Sequence, residues 1–249
     1  MTTASAGSLA VVRTPPVLMY HSVSPSTAPD PHLLRVHPDR LDQQLRTLRR
    51  LGLRGVSLAE LVDAVDRGDA RGLVGLTFDD GYADFLHHAV PVLARHRMTA
   101  TVYMVADRLA GTNDWDEAPQ LPLMDADELR AVAAAGHEVG SHTMTHAALA
   151  GLDPASLEVE LRGSREVLEQ LLGAPVRGFC YPYGSFDRAA ADAARAAGYD
   201  HACVTRDYSV SDRFTLPRFY VGQEDSGLRL VAKLVRHHLV QRRTGGSAA

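Results

Sequence analysis

The stretch Leu73-Val74-Gly75-Leu76-Thr77-Phe78-Asp79-Asp80-Gly81 decides the fold. Its first six residues form a short apolar run with a turn signal behind it, the pattern of a buried strand. The strand ends in two adjacent carboxylates and a glycine, so both acids arrive at its C-terminal end. Outward from it, short apolar runs alternate with amphipathic stretches, which predicts a parallel sheet covered by crossover helices. Upstream, Pro16–Tyr20 reads as a strand. Asp39–Leu51 reads as a helix with Leu41, Leu45 and Leu48 on one face, stopped by Gly52. Ser57-Leu58-Ala59-Glu60 has the form of a capping box and starts a helix ending near Gly68. Downstream comes a helix kinked or restarted at Pro91, then a β-branched strand over Thr99–Val105.

A long loop over Ala106–Met124 carries the only tryptophan, Trp115. Asp125–Glu128 caps a helix that ends at Gly136, and His137–Gly140 reads as a short strand. A helix opens at Asp153-Pro154, where a missing N–H costs nothing, and runs to Leu172. Strands over Gly178–Tyr181, His201–Thr205 and Leu216–Tyr220 follow, with helices over Arg188–Ala197 and Gly227–Val240. Seven strands and no Pro-, Gly- or Ser-rich linker predict a single α/β domain over residues 15–240, a barrel-like sheet of about seven strand–helix units. Residues 1–14 and 241–249 are expected to be flexible tails.

Composition narrows the function. Lys and Arg number 26 against 30 Asp and Glu, a net charge of −4. That balance gives no case for nucleic acid or an anionic membrane surface. With 45% hydrophobic residues the chain can build a core. Its two cysteines, Cys180 and Cys203, exclude a disulfide framework and read as buried thiols. There is no apolar run long enough for a transmembrane segment and no charged start followed by a long apolar stretch. The default location is cytoplasmic, with export of a processed chain as the alternative.

The second informative stretch is Ser141-His142-Thr143-Met144-Thr145-His146. Histidines four apart meet on one side of a helical turn or of a tight loop, where both rings can reach one ion. With one aspartate they make a three-ligand set that leaves positions open for water and substrate. The other aspartate is then free to act as a base. The competing reading is that Asp79 or Asp80 caps the following helix with no metal involved. The Asp pair, the His pair and the turn Tyr181-Pro182-Tyr183-Gly184 all fall at strand ends, which places them together in a barrel.

Thr77-Phe78-Asp79-Asp80-Gly81, Ser141-His142-x3-His146 and Phe179-x-Tyr181-Pro182-Tyr183-Gly184, in this order, resemble the first three motifs of the polysaccharide deacetylases, the NodB-like family of carbohydrate esterases. The resemblance covers about residues 15–225 and implies the family's irregular (β/α) barrel of about seven strand–helix units, with a divalent metal, zinc first and cobalt or nickel next, on Asp80, His142 and His146. It implies Asp79 as general base and the Tyr183 backbone N–H as an oxyanion donor. The N-terminal Met19-Tyr20-His21 is similar to the circularly permuted branch, which includes poly-N-acetylglucosamine deacetylases, and implies His21 as the general acid. A histidine titrating near neutrality suits that task.

Two departures stand out. Cys180 occupies a position where many members carry an arginine that holds the base. Arg177 and Arg218 are the alternatives, and Arg218 is the residue expected to orient Asp79. The fourth motif is not recognisable, Asp207 and Tyr208 being the nearest residues. Histidines 87, 88, 96, 237 and 238 read as solvated, His137 as a strand residue, Trp115 as a sugar platform or a loop anchor, and Tyr82 as a residue that could line the site.

The expected activity is therefore hydrolysis of an N-acetyl group on an N-acetylglucosamine-type saccharide or oligosaccharide, a carbon–nitrogen bond outside peptides. The alternatives are a small amide or O-acetyl ester as substrate, and a catalytically silent carbohydrate-binding domain.

Overall fold

The computed structural model describes residues 15–117, 119–205 and 212–244. In chain order the elements are β1 (Val17–Tyr20), β2 (Ser22–Val23), β3 (Arg35–Val36), α1 (Pro38–Arg50), β4 (Arg54–Val56), α2 (Leu58–Arg67) and β5 (Leu73–Phe78). They continue with α3 (Val90–His96), β6 (Thr101–Met104), α4 (Ala126–Ala134), β7 (Glu138–Ser141), α5 (Pro154–Glu158) and α6 (Ser164–Leu172). Then come β8 (Gly178–Cys180), α7 (Arg188–Ala196), β9 (His201–Thr205), β10 (Leu216–Tyr220) and α8 (Gly227–Thr244).

Seven strands close a parallel barrel in the order β1-β10-β9-β8-β7-β6-β5, with β5 pairing back onto β1 along Val17–Tyr20. The other edge of β5 is shared. β4 takes Leu73–Gly75 and β6 takes Thr77–Phe78, so β4 wedges in at the N-terminal end. That wedge is the irregularity of the barrel, and neither β4 nor the small β2–β3 sheet is apparent in the sequence pattern. Two or three residues each are too few to show a period.

The period of two along each strand sorts the side chains. Leu18, Tyr20, Leu76, Phe78, Val102, Met104, Phe179 and Phe219 point outward into the shell of helices, where α1 contributes Leu41, Leu45 and Leu48. Val17, Tyr103, Cys180, Cys203 and Leu216 form a separate inner cluster with Leu58, Leu61 and Val62 of α2. Helix α2 therefore plugs the N-terminal mouth of the barrel. Its first N–H groups are held by strand side chains, Leu58 by Thr101 and Ala59 by Glu138. Ser57 accepts from the Glu60 N–H as expected, but the Glu60 carboxylate is taken by Arg54 and Thr99, so only half of the capping box forms.

Three further expectations change. Helix α8 runs to Thr244, so residues 241–244 are helical; residues 1–14 and 245–249, and with them the rest of the expected tails, lie outside the described residues. His96 is not solvated: its side chain is 5% exposed and bonded to Asp42 at 2.9 Å. His237 is 2% exposed, with its ring 6.0 Å from that of Phe219, because it falls on the inner face of α8, while His238 is exposed. His87 is exposed and His88 half-buried. Among the described residues no helix is long and apolar enough to cross a membrane.

Candidate active site

The site residues are the first positions beyond the strands, still tied to the ladder. The Asp79 N–H donates to Tyr20 C=O at 3.0 Å, and the His142 N–H to Met104 C=O at 2.8 Å. Past these anchors the chain turns sharply through conformations that side chains disfavour. Asp80 has φ +72°, Thr143 +70°, His146 +68° and Tyr183 +57°. Left-handed non-glycine residues of this kind gather where a surrounding fold can hold strain for function. Gly81, at φ +79°, completes the first turn, and any Cβ there would lie 2.2 Å from Met104 Sδ.

Asp80, His142 and His146 converge. The Nε2 atoms of both histidines lie 3.4 Å from Asp80 Oδ1, and one donor atom from each residue falls within 4.8 Å of the others. The histidine motif lies on a tight loop, not on a helix. His142 Nδ1 is 2.8 Å from the Cys180 carbonyl oxygen. A carbonyl only accepts, so Nδ1 carries the proton and Nε2 presents its lone pair to the cluster. His146 Nδ1 is 3.0 Å from the Tyr183 hydroxyl, and the Trp115 ring stacks on the His146 ring at 4.1 Å. Burial works against the charge of Asp80, yet its bonds to the two imidazoles outweigh it and hold its pKa well below the ordinary carboxylate value. The helix-capping reading of the Asp pair thus fails, because both carboxylates are engaged elsewhere.

Asp79 faces the barrel interior beside Thr77. Arg218, on β10 and 1% exposed, reaches across and grips it with two parallel bonds, Nη1 to Oδ1 at 2.6 Å and Nη2 to Oδ2 at 2.7 Å. The same guanidinium donates to Thr77 Oγ1 at 2.9 Å and to Cys180 Sγ at 3.0 Å. Burial raises the Asp79 pKa, but the Arg218 charge and its bonds overcome this and leave it below the usual carboxylate range. Arg177 lies elsewhere, bonded to Asp63 and Asp200. Both cysteines are free, buried thiols.

His21, just beyond β1, has Nε2 4.0 Å from Asp79 Oδ2. Tyr183 lies in the short turn Pro182–Gly184 at the edge of the site. His21, Asp79, Asp80, His142, His146 and Tyr183 all border one cavity of about 220 Å³, together with Trp115. Tyr82 is buried, and enclosure first, then the Asp80 carboxylate, push the pKa of its hydroxyl up. His137 is no ligand; its Nδ1 accepts the Ala100 N–H. Asp207 and Tyr208 lie outside the described residues.

One supporting residue escaped the sequence reading. Glu160 accepts from the Met144 N–H, the Thr145 N–H and the Thr145 hydroxyl, at 3.0, 3.0 and 2.7 Å, and so holds the loop between the two histidines. A signal existed: Glu160 follows Leu157 by three on the stripe that continues through Leu161 and Ser164, where an acid is out of place. Glu160→Ala should lower stability by about 1–3 kcal/mol in urea denaturation. It should also weaken the affinity for a divalent cation about 10–100-fold in a metal titration. Native values in both would show that Glu160 does not support the loop.

The chain belongs to the polysaccharide deacetylase family, whose model matches residues 66–202. The Bacillus subtilis (strain 168) protein YxkH is 27% identical over 198 residues, 79% of this chain and 66% of that protein. The chitooligosaccharide deacetylase of Bradyrhizobium sp. (strain ANU 289) is 36% identical over 121 residues, 47% of this chain and 49% of that protein. The matches thus span about half to two thirds of these relatives. The Streptococcus pyogenes deacetylase PplD superposes with a TM-score of 0.76 at 24% identity, over 88% of this chain and 97% of that one. IcaB from Ammonifex degensii does so at 0.69 and 23%, over 89% and 97%. At that identity the likeness is one of fold, and it is the (β/α) barrel expected above.

Proposed function

We propose that this chain is a metal-dependent hydrolase that removes N-acetyl groups from an N-acetylglucosamine-type saccharide. The observation that carries the reading is the convergence of Asp80, His142 and His146 beside a second aspartate that Arg218 holds and His21 faces. Relatives named chitooligosaccharide deacetylase and chitin deacetylase support the same substrate class.

The donors fit a divalent cation. They are one carboxylate and two imidazoles, and the His142 tautomer is set by the Cys180 carbonyl. This set suits zinc first, with cobalt or nickel next. When bound, the cation would polarise the acetyl carbonyl and acidify the adjacent water.

The chain's own residues do the rest. Asp79 takes the proton from the attacking water, and Arg218 keeps it ionised and aimed. The Tyr183 N–H donates to the oxygen that gains charge as the carbonyl carbon becomes tetrahedral. His21 gives a proton to the nitrogen as the C–N bond breaks, so that a neutral amine departs. Trp115 and the exposed Tyr183 ring offer apolar faces to a sugar at the rim of the cavity.

Acetate release should be measured from chitooligosaccharides, acetyl-xylan and monomeric N-acetylglucosamine, with and without a chelator. Release from chitooligosaccharides is expected, lost on chelation and restored by zinc. Release from acetyl-xylan alone would move the substrate to an O-acetyl ester, and release from none with zinc restored would remove the reading.

A further inference from the structure

His21 is held differently from the other two site histidines. His142 and His146 are each oriented by a partner on Nδ1, whereas His21 Nδ1 is buried with no hydrogen-bond partner among the described residues. Its Nε2 is 4.0 Å from Asp79, beyond a hydrogen bond. With no hydrogen bond on Nδ1, the place of this ring depends on its packing and on the backbone that carries it.

That backbone is pinned on both sides to the segment that carries the aspartates. Before His21, Tyr20 C=O accepts the Asp79 N–H. After it, the Ser22 hydroxyl and the Val23 N–H both donate to the carboxylate of Asp84, the latter at 3.0 Å. Asp84 lies four residues beyond Asp80 on the same turn. Enclosure pushes its pKa up to about 6, against the pull of these two donors. A carboxylate kept in such surroundings is expensive unless its hydrogen bonds are needed. Neither Ser22 nor Asp84 borders the catalytic cavity.

We propose that Asp84 is a positioning residue for the reaction. By clamping Ser22 and Val23 it sets the distance between His21, the acid, and Asp79, the base. This rests on the assignment of His21 as acid made above. Departure of an amine needs that acid, whereas departure of a nitrophenolate does not. The diagnostic quantity is thus the ratio of acetate release from a chitooligosaccharide to hydrolysis of 4-nitrophenyl acetate by the zinc-loaded enzyme.

Asp84→Ala should lower kcat for the saccharide about 10–100-fold, and reduce the aryl ester rate at least tenfold less, so the ratio falls. Asp84→Asn, which still accepts from Val23 and can pair with Ser22, should recover most of the ratio. Should Asp84→Ala fail to fold, Ser22→Ala decides by the same ratio, with a smaller fall. A lowered ratio in His21→Ala beside a native ratio in the Asp84 and Ser22 variants would overturn the positioning role alone. A native ratio in His21→Ala would overturn the acid assignment and the proposal with it.

Discussion

Replacing Arg218 by alanine should cost the fold about 3–5 kcal/mol and remove most turnover, because it strands a buried carboxylate. Arg218 is 1% exposed and Asp79 4%. Desolvation is already the largest influence on the Asp79 pKa, and Arg218 is the first of the groups that oppose it. With the guanidinium gone, the Asp79 pKa should rise above its unfolded value. The sign of the linkage then inverts. In the native chain the depressed pKa contributes stability above the unfolded carboxylate pKa, lost as pH falls through the folded value. In the variant a raised pKa favours the fold in acid and penalises it at neutral pH. Urea denaturation at pH 5 and pH 8 should therefore show a smaller deficit at pH 5. The acid limb of the pH–rate profile should move to higher pH, because a protonated Asp79 accepts nothing. Arg218→Lys restores charge but not the two parallel bonds, and should recover only part of either effect. Native stability together with an unmoved acid limb would show that Arg218 does not control Asp79.

Asp79→Asn is expected to lower turnover about 10²–10⁴-fold while the protein still binds zinc, since the amide cannot take up a proton and the group of Asp80, His142 and His146 is left intact to hold the ion. Some stability should go as well, because the amide's N–H₂ would face a guanidinium N–H where Asp79 now accepts two bonds. Asp80→Asn should behave in the opposite way and lose metal together with activity. The pair of variants is read by acetate release beside metal content from elemental analysis. A carbohydrate-binding module would show no turnover in the native chain and unchanged saccharide affinity in Asp79→Asn. Near-native turnover in Asp79→Asn would remove Asp79 as the base.

Much of this arrangement was legible before any coordinates. The seven barrel strands were all placed from the sequence pattern, and strand direction alone delivers Asp79, His142 and Tyr183 to one rim, because every pairing in a parallel barrel points the same way. The elements that went unseen are those without a period. They are β4, which shares an edge of β5 with β6 at the N-terminal end, and the β2–β3 excursion, whose donors Ser22 and Val23 reach Asp84. The histidines of α3 and α8 were misread because a seven-residue helix and a basic helix hide which face is covered. Asp42 takes His96 and Phe219 borders His237.

The donor chemistry, its order along the chain and the barrel were properties of the sequence alone, since motif spacing and hydrophobic period need no knowledge of what lies across the core. The partner of Asp79 was not. Arg218 was the residue expected, with Arg177 as the alternative, but motif spacing carries no information on which of them reaches Asp79. The side chain that replaces the arginine usual at position 180 comes from β10, two strands away from β5 around the closed barrel. Only closure brings the inner faces of β5, β8 and β10 within one hydrogen-bonded cluster of Asp79, Cys180 and Arg218. Likewise, which aspartate meets the histidines was decided by the left-handed turn at Asp80, which directs one carboxylate to the imidazoles and leaves the other facing into the barrel.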